Sequence, residues 1–339
     1  MSNYPKPSLT ADALIFAGHG EAMKVLLIQR KNEPFAGDWA FPGGFSEPGE
    51  PLAQTCVREL EEETGLRLHA SVVRPLALRA KSGRDPRGWT VSQPYMYHTS
   101  LQPDFPDEPT LVAGDDAQNA EWVLLNRIEQ LAFDHGAILC EALGRFWPEM
   151  PGHDARLSGV EPWGRPQELK SKALFYGGSF NPWHEGHSVC LNQAPGQLER
   201  IVVPDSNPFK PEFHKSCFWN HFRTIKSHIP EQVHVFPGFC GMEISNPTVA
   251  WVGHTGFDDV SLLMGDDCFL QLESWYQYRT LLNELEGLFI VPRGAKGASF
   301  EAARARLLKQ APHLAIQRLD AHEYQHMSST DLRQKAKSE

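Results

Sequence analysis

Residues Gly44 to Leu66 read GFSEPGEPLAQTCVRELEEETGL, and no other stretch of the chain restricts its local structure so tightly. Pro51 suits the first turn of a helix and Gly65 suits its C-terminal stop. At about 100° per residue, Glu59, Glu62 and Glu63 fall on one face, related by i, i+3 and i+4. Ala53, Val57 and Leu60 fall on another face, which can pack against a sheet. Three carboxylates held so close repel one another unless a hard divalent cation sits among them, and Mg²⁺ or Mn²⁺ prefers such oxygen ligands. Arg58 borders the cluster and can hold one carboxylate in its rotamer. Taken alone, Glu-Leu-Glu-Glu-Glu reads as the solvated face of a surface helix, the usual meaning of such a cluster.

The register decides between these readings. Gly44, Glu50, Arg58, Glu59, Leu60, Glu62, Glu63, Gly65 and Leu66 match the Nudix box at every defined position, so the segment resembles a Nudix hydrolase. The resemblance implies that Glu59, Glu62 and Glu63 hold the metal, with Gly44 on the substrate side. It leaves the general base open, with Glu50 and the aspartates at 115–116 as candidates. Strands are predicted at Ala11–Ala17, Lys24–Arg30, Trp39–Phe45, Ser71–Arg79, Trp89–Ser100 and Glu121–Leu125, with a closing helix over Phe133–Phe146. That order suits an α/β/α sandwich with a mixed sheet over residues 1–150. Arg84-Asp-Pro-Arg-Gly88, the strand WTVSQPYMY after it, and Leu131-Ala-Phe-Asp-His135 resemble segments of Nudix enzymes acting on ADP-ribose and of their regulatory relatives. Arg84 and Arg87 are candidate diphosphate contacts, since arginine forks suit phosphate oxygens. DPRG is also a good turn sequence in any protein.

At 339 residues the chain exceeds the size at which one core usually divides, so two domains are expected. A net charge of −10 argues against a nucleic-acid partner bound through broad backbone neutralisation. No apolar run is long enough to span a bilayer, and MSNYPKPSLT lacks the pattern of a secretory signal. The six cysteines form no CxxC pair, which points to reduced thiols rather than zinc or disulfides. The expectation is a cytoplasmic protein without a membrane partner.

Residues 151–172, rich in Pro, Gly and charge, read as a linker. An apolar strand at Ala173–Tyr176 then feeds Gly177-Gly178, and His184-Glu-Gly-His187 opens a helix. Glycines let backbone N–H groups approach an anion, and the helix N-terminus adds partial positive charge. His184 and His187 lack a nearby third ligand for zinc. GSFNPWHEGH resembles the signature of pyridine mononucleotide adenylyltransferases, which implies contacts from Gly178, Ser179 and Phe180. Leu263-Met-Gly265-Asp-Asp267 followed by Trp275-Tyr276 resembles the ribose and pyridine contacts of bacterial nicotinate mononucleotide enzymes, Gly265, Asp267 and Trp275 among them. Met327-Ser-Ser-Thr-Asp-Leu-Arg333 resembles their ATP-phosphate grip, which implies roles for Ser328, Ser329, Thr330 and Arg333. Lys210 is a candidate phosphate contact. SSTDLR is also an ordinary helix cap, and a tryptophan such as Trp275 is often core. Where nicotinate enzymes carry a Ser-Tyr-Thr loop, residues 243–253 read EISNPTVAWVG, so nicotinate and nicotinamide both stay open.

The resemblances together imply an α/β protein with an N-terminal Nudix sandwich and, at 173–339, a Rossmann-like nucleotidylyltransferase with a parallel sheet. They imply Mg²⁺ (or Mn²⁺)-dependent cleavage of ADP-ribose to AMP and ribose 5-phosphate. At the second site ATP and a pyridine mononucleotide would give a dinucleotide and pyrophosphate. A sensor of ADP-ribose or NAD with one inactive domain is the alternative of another class; NADH, a nucleotide sugar or another mononucleotide are alternative substrates. A homo-oligomer stays open.

Overall fold

Ser8–Ala17 forms β1, and from Ala11 onward its residues are almost wholly buried, as expected of a strand covered on both faces. It sits in a computed structural model that describes residues 4–114, 117–166, 168–205, 218–230, 232–294 and 297–338. Around it come β2 (Lys24–Arg30), β3 (Trp39–Ala40), β4 (Gly43–Phe45), α1 (Leu52–Thr64), β5 (Arg74–Pro75), β6 (Thr90–His98), β7 (Ala117–Leu124) and α2 (His135–Gly144). β1 pairs with β6 in parallel and with β2 and β4 antiparallel, so the sheet is mixed. α1 buries Cys56, Val57 and Leu60 against Ala11, Ala13 and Ile15 of β1. Pro51 stands in extended backbone at the N-cap position, just before the helix rather than in its first turn and without a side-chain capping bond, and Gly65 ends it in the left-handed region at φ 72°.

Two predicted strands are shorter than expected. Trp39–Phe45 is divided into β3 and β4 around Phe41-Pro42. Ser71–Arg79 contracts to β5 plus one bridge from Arg79 to Ser92, because Pro75 brings no N–H to a ladder.

The second sheet has the order β10-β9-β8-β11-β12-β13, all parallel, as in a Rossmann-like fold. Its elements run β8 (Lys172–Gly178), α3 (Glu185–Gln193), β9 (Glu199–Pro204), α4 (Phe218–His228), β10 (Val233–Val235), β11 (Asp259–Gly265), α5 (Asp266–Leu270), α6 (Tyr278–Asn283), β12 (Gly287–Val291), α7 (Gly297–Gln310), β13 (Ala315–Arg318) and α8 (Ser329–Ser338). The chain winds outward from β8 to one edge, then from β11 to the other. The carboxyl ends of β8 and β11 therefore flank a topological switch point, where ligands of such sheets bind.

The chain divides into two units, residues 1–146, 154–164 and 217–220 in the first and the remainder in the second. The stretch expected as a linker is thus shared between them. Leu157, Val160 and Trp163 within it are buried. Among the described residues no helix is long and apolar enough to cross a membrane.

Candidate active sites

The first site is a cavity of about 300 Å³ lined by the diglycine of β4, by Glu59 and Glu63 of α1, and by Asp12, Arg30, Arg84, Asp85, Arg87, Phe133 and His135. Gly44 is required by close approach: a Cβ there would stand 2.4 Å from the Glu59 carboxylate. Glu63, buried, accepts a 2.9 Å hydrogen bond from Gly43 N–H. Arg58 donates to Glu50 (2.9 and 3.0 Å), Glu59 (2.8 Å) and Glu62 (3.1 Å), so it relieves much of the carboxylate repulsion itself. The Arg58 hydrogen bonds hold Glu50 down to about 2, whereas burial raises the Glu59 carboxyl. Glu50 is thereby tied up as the anchor of Arg58. Glu62 faces outward, with 57% of its side chain exposed, and is not among the lining residues.

These residues suit a hard cation. Glu59 and Glu63 offer carboxylate oxygens on the cavity floor, and Glu62 adjoins them on the same helix. Among the described residues, no group of three or more His, Cys, Asp or Glu side chains is gathered as a ready-made cage. Arg58 engages one oxygen of Glu59 and one of Glu62, so a cation would share these carboxylates with it.

Both candidate phosphate arginines line this cavity and both are paired. Arg84 makes a two-pronged bond to Asp134 at 2.6 and 3.0 Å, and Arg87 grips Asp85 at 2.8 Å. The Arg87 guanidinium also lies over the rings of Phe45 and Phe133, at 5.2 and 5.5 Å. Asp115 and Asp116 lie outside the described residues.

The second site is a cavity of about 610 Å³ at the switch point. It gathers Gly178, Ser179, Phe180 and His187 with Gly265, Asp267, Trp275, Ser328, Ser329 and Thr330. His184 and Arg333 are not among its lining residues. The two histidine rings stack at 3.7 Å, with His184 N–H donating to His187 Nδ1 at 3.2 Å. Among the described residues, neither of the buried ring nitrogens of His184 has a hydrogen-bond partner. Burial, with Arg293 nearby, lowers His184 to about 4; burial, His184 and Arg293 lower His187 to about 2. The pair is neutral at pH 7. Ser328 Oγ accepts from Asp331 N–H at 3.1 Å and so caps α8, while Ser329 donates to Pro182 O at 2.9 Å. Arg333 donates to Asn181 O and to Thr330 Oγ1 at 3.3 Å. Lys210 lies outside the described residues.

Comparison with known proteins accounts for both halves. The NUDIX domain family matches residues 6–142, and the cytidylyltransferase-like family matches residues 175–335. An ADP-ribose pyrophosphatase of Methanocaldococcus jannaschii is 40% identical over 40% of this chain and 73% of its own length. The chain belongs to the Nudix family. The second half is similar to a probable nicotinate-nucleotide adenylyltransferase of Pelagibacter ubique, at 24% identity over 42% of this chain and 83% of that protein. Part of the chain is also similar to a bifunctional NMN adenylyltransferase/ADP ribose pyrophosphatase of Francisella tularensis, at 29% identity and a TM-score of 0.35. That match covers 41% of each chain.

The Nudix cavity contains residues that the sequence reading passed over. Arg30 lies over the Phe133 ring at 4.8 Å, and Asp12 forms part of the wall beside His135 of the 131–135 segment named above. Arg30 ends an ordinary strand, and only the β2–β7 pairing and the loop after it bring it to the site. At the second cavity the missed residue is Arg293. Asp266 anchors its backbone N–H at 2.9 Å. Burial works against its charge, but Tyr176 and Asp267 outweigh that and raise its pKa.

Proposed function

We propose that the Nudix unit hydrolyses ADP-ribose to AMP and ribose 5-phosphate, and that the second unit joins ATP to a pyridine mononucleotide with release of pyrophosphate. The observation that carries the reading is convergence. Three motifs spread over some 150 residues of the chain meet in one cavity at the switch point, and Glu59 and Glu63 of the box line the other beside its diglycine.

In the Nudix cavity Glu59 and Glu63, with Glu62, would hold Mg²⁺ or Mn²⁺. When bound, such an ion polarises a diphosphate and lowers the pKa of a water. Arg58 keeps Glu59 and Glu62 in place, and Glu50 keeps Arg58 in place. Arg84 and Arg87, already oriented by Asp134 and Asp85, present guanidinium edges to the cavity.

In the second cavity catalysis is positioning and charge stabilisation. The mononucleotide phosphate attacks the α-phosphate of ATP in line. Neutral His187 lines the cavity and, with Nδ1 accepting His184 N–H, carries its proton on Nε2 as an N–H donor to phosphate oxygens, while His184 stacks against it. Arg293 is the cation among the described lining residues. Gly265 and Asp267 would meet a ribose and Trp275 a ring.

Incubation with ADP-ribose and Mg²⁺, and separately with ATP and each pyridine mononucleotide, tests both halves. AMP release and dinucleotide formation are expected. Tight ADP-ribose binding without AMP would instead favour the sensor reading, for which the internal pairing of Arg58, Arg84 and Arg87 is the supporting observation.

A further inference from the structure

Three carboxylates that line the Nudix cavity lie outside the box, Asp12, Glu33 and Asp85. Asp12 projects from β1 with 11% of its side chain exposed, and one of its oxygens accepts from the Ser92 hydroxyl of β6. The other oxygen, Oδ1, faces His135 Nε2 at 3.9 Å. A Cβ on Gly43 would stand 2.8 Å from that same oxygen. Gly43 N–H donates to Glu63, so Asp12 and Glu63 border one glycine.

His135 is oriented for this meeting. Its Nδ1 accepts Phe41 N–H at 3.0 Å, and its ring stacks on Phe41. Burial lowers its pKa, so the ring is neutral and carries its proton on Nε2, facing Asp12. A separation of 3.9 Å is too long for a direct hydrogen bond, so Oδ1 and the Nε2 proton stand side by side as an acceptor and a donor in the cavity wall.

The other acids of the cavity are committed elsewhere. Glu59 is bound to Arg58, Glu63 to Gly43, and Asp85 to Arg87, while Glu33 lies exposed at the rim. The charged and titratable groups around Asp12 include Glu63 across Gly43, His135, Arg84 and Cys56, whose thiol donates to Asp12 O.

We propose that Asp12 is the general base of diphosphate hydrolysis, with Ser92 and His135 as its positioning residues. The water oxygen bonds to phosphorus, and its proton passes to Asp12 Oδ1. The bond to the bridging oxygen breaks, and that oxygen leaves with the electron pair. The assignment rests on the hydrolase reading given above.

Asp12→Asn tests it, because asparagine keeps the shape and can still accept from Ser92. With ADP-ribose, kcat is expected to fall at least about a hundredfold, with KM and Mn²⁺ affinity by calorimetry within about threefold. The residual rate should rise with pH as hydroxide replaces the lost base. Unchanged kcat, or Mn²⁺ binding lost in step with activity, would overturn the assignment. Ser92→Ala keeps the carboxylate but frees it; a loss of about tenfold in kcat is expected, and a wild-type rate overturns the proposal even if Asp12→Asn fails to fold. If the wild-type protein releases no AMP from ADP-ribose, the substrate reading falls by itself. The variants are then compared on whichever nucleoside diphosphate it does cleave, and the absence of any cleavage overturns the base as well.

Discussion

Gly44 has no room for a side chain, because both oxygens of Glu59 lie where a Cβ would go. Gly44→Ala is expected to push Glu59 off the cavity floor and lower ADP-ribose turnover at least about a hundredfold, with little change in Tm. A Gly44→Ala enzyme with normal turnover would remove Glu59 from the site. A second consequence concerns pH. His98 and His184 are lowered to about 4 and His187 to about 2, chiefly by burial, against an ordinary value of 6.5. The unfolded chain therefore binds protons below 6.5 that the folded one refuses, so stability is full above that pH and falls as pH drops toward 4. Asp205, raised by burial to about 6, acts in the opposite sense between 6 and 3.8. Glu59, also raised by burial, acts in the same sense as Asp205, but the three imidazoles outweigh both, and Tm measured from pH 8 downward should decline on the acid side of about 6.5. A flat profile to pH 5 would contradict the buried neutral imidazoles. The box residues were legible in the sequence because one helix sets their spacing. Arg293 and Asp12 were not, since each reaches its cavity through tertiary placement and has no informative neighbours in the chain.

At the level of elements, the sequence reads best where one residue type has one use. Gly65 ends α1 at φ 72°, a conformation that strains any residue with a Cβ. Gly65→Ala should cost about 1–2 kcal/mol, seen as a lower denaturation midpoint, while Glu59 and Glu63 keep their places two turns or less upstream. An unchanged midpoint would mean that the helix ends by other means. Ser328 was equally readable as a cap, and its hydroxyl does accept from Asp331 N–H. Strand extent was harder to read. β1 and β6 run in parallel from Ser8↔Thr90 to Phe16↔His98, a pairing fixed by partners far apart in sequence. The stretch after Ser71 has strand-like composition, but Pro75 and the turn before it limit it to two residues. Alternation alone could not show that.

For the molecule as a whole, the apparent linker misled because burial, not composition, defines a unit. Residues 154–164 and 217–220 cluster with the Nudix unit although some fifty residues of the second unit lie between them. Trp219 is fully buried there, and its indole N–H donates to Ile128 O at 2.7 Å. Trp163 lies against it, with ring centroids 5.6 Å apart. A cut near Gly159 would sever the 154–164 segment, and any cut within 165–172 would strip Trp219 from its own unit. A fragment of residues 1–164 contains every box residue and should still release AMP from ADP-ribose at low temperature. It loses an indole's worth of packing and one buried hydrogen bond, a cost of about 3–5 kcal/mol by analogy with tryptophan truncation in a core. Its Tm should lie on the order of 10 °C below that of the Nudix unit in the full chain. Trp219→Ala in the full chain should lower the Nudix transition by a similar amount, which separates the loss of this side chain from other effects of cutting. A fragment as stable as the unit in the full chain would show that residues 217–220 contribute nothing to it.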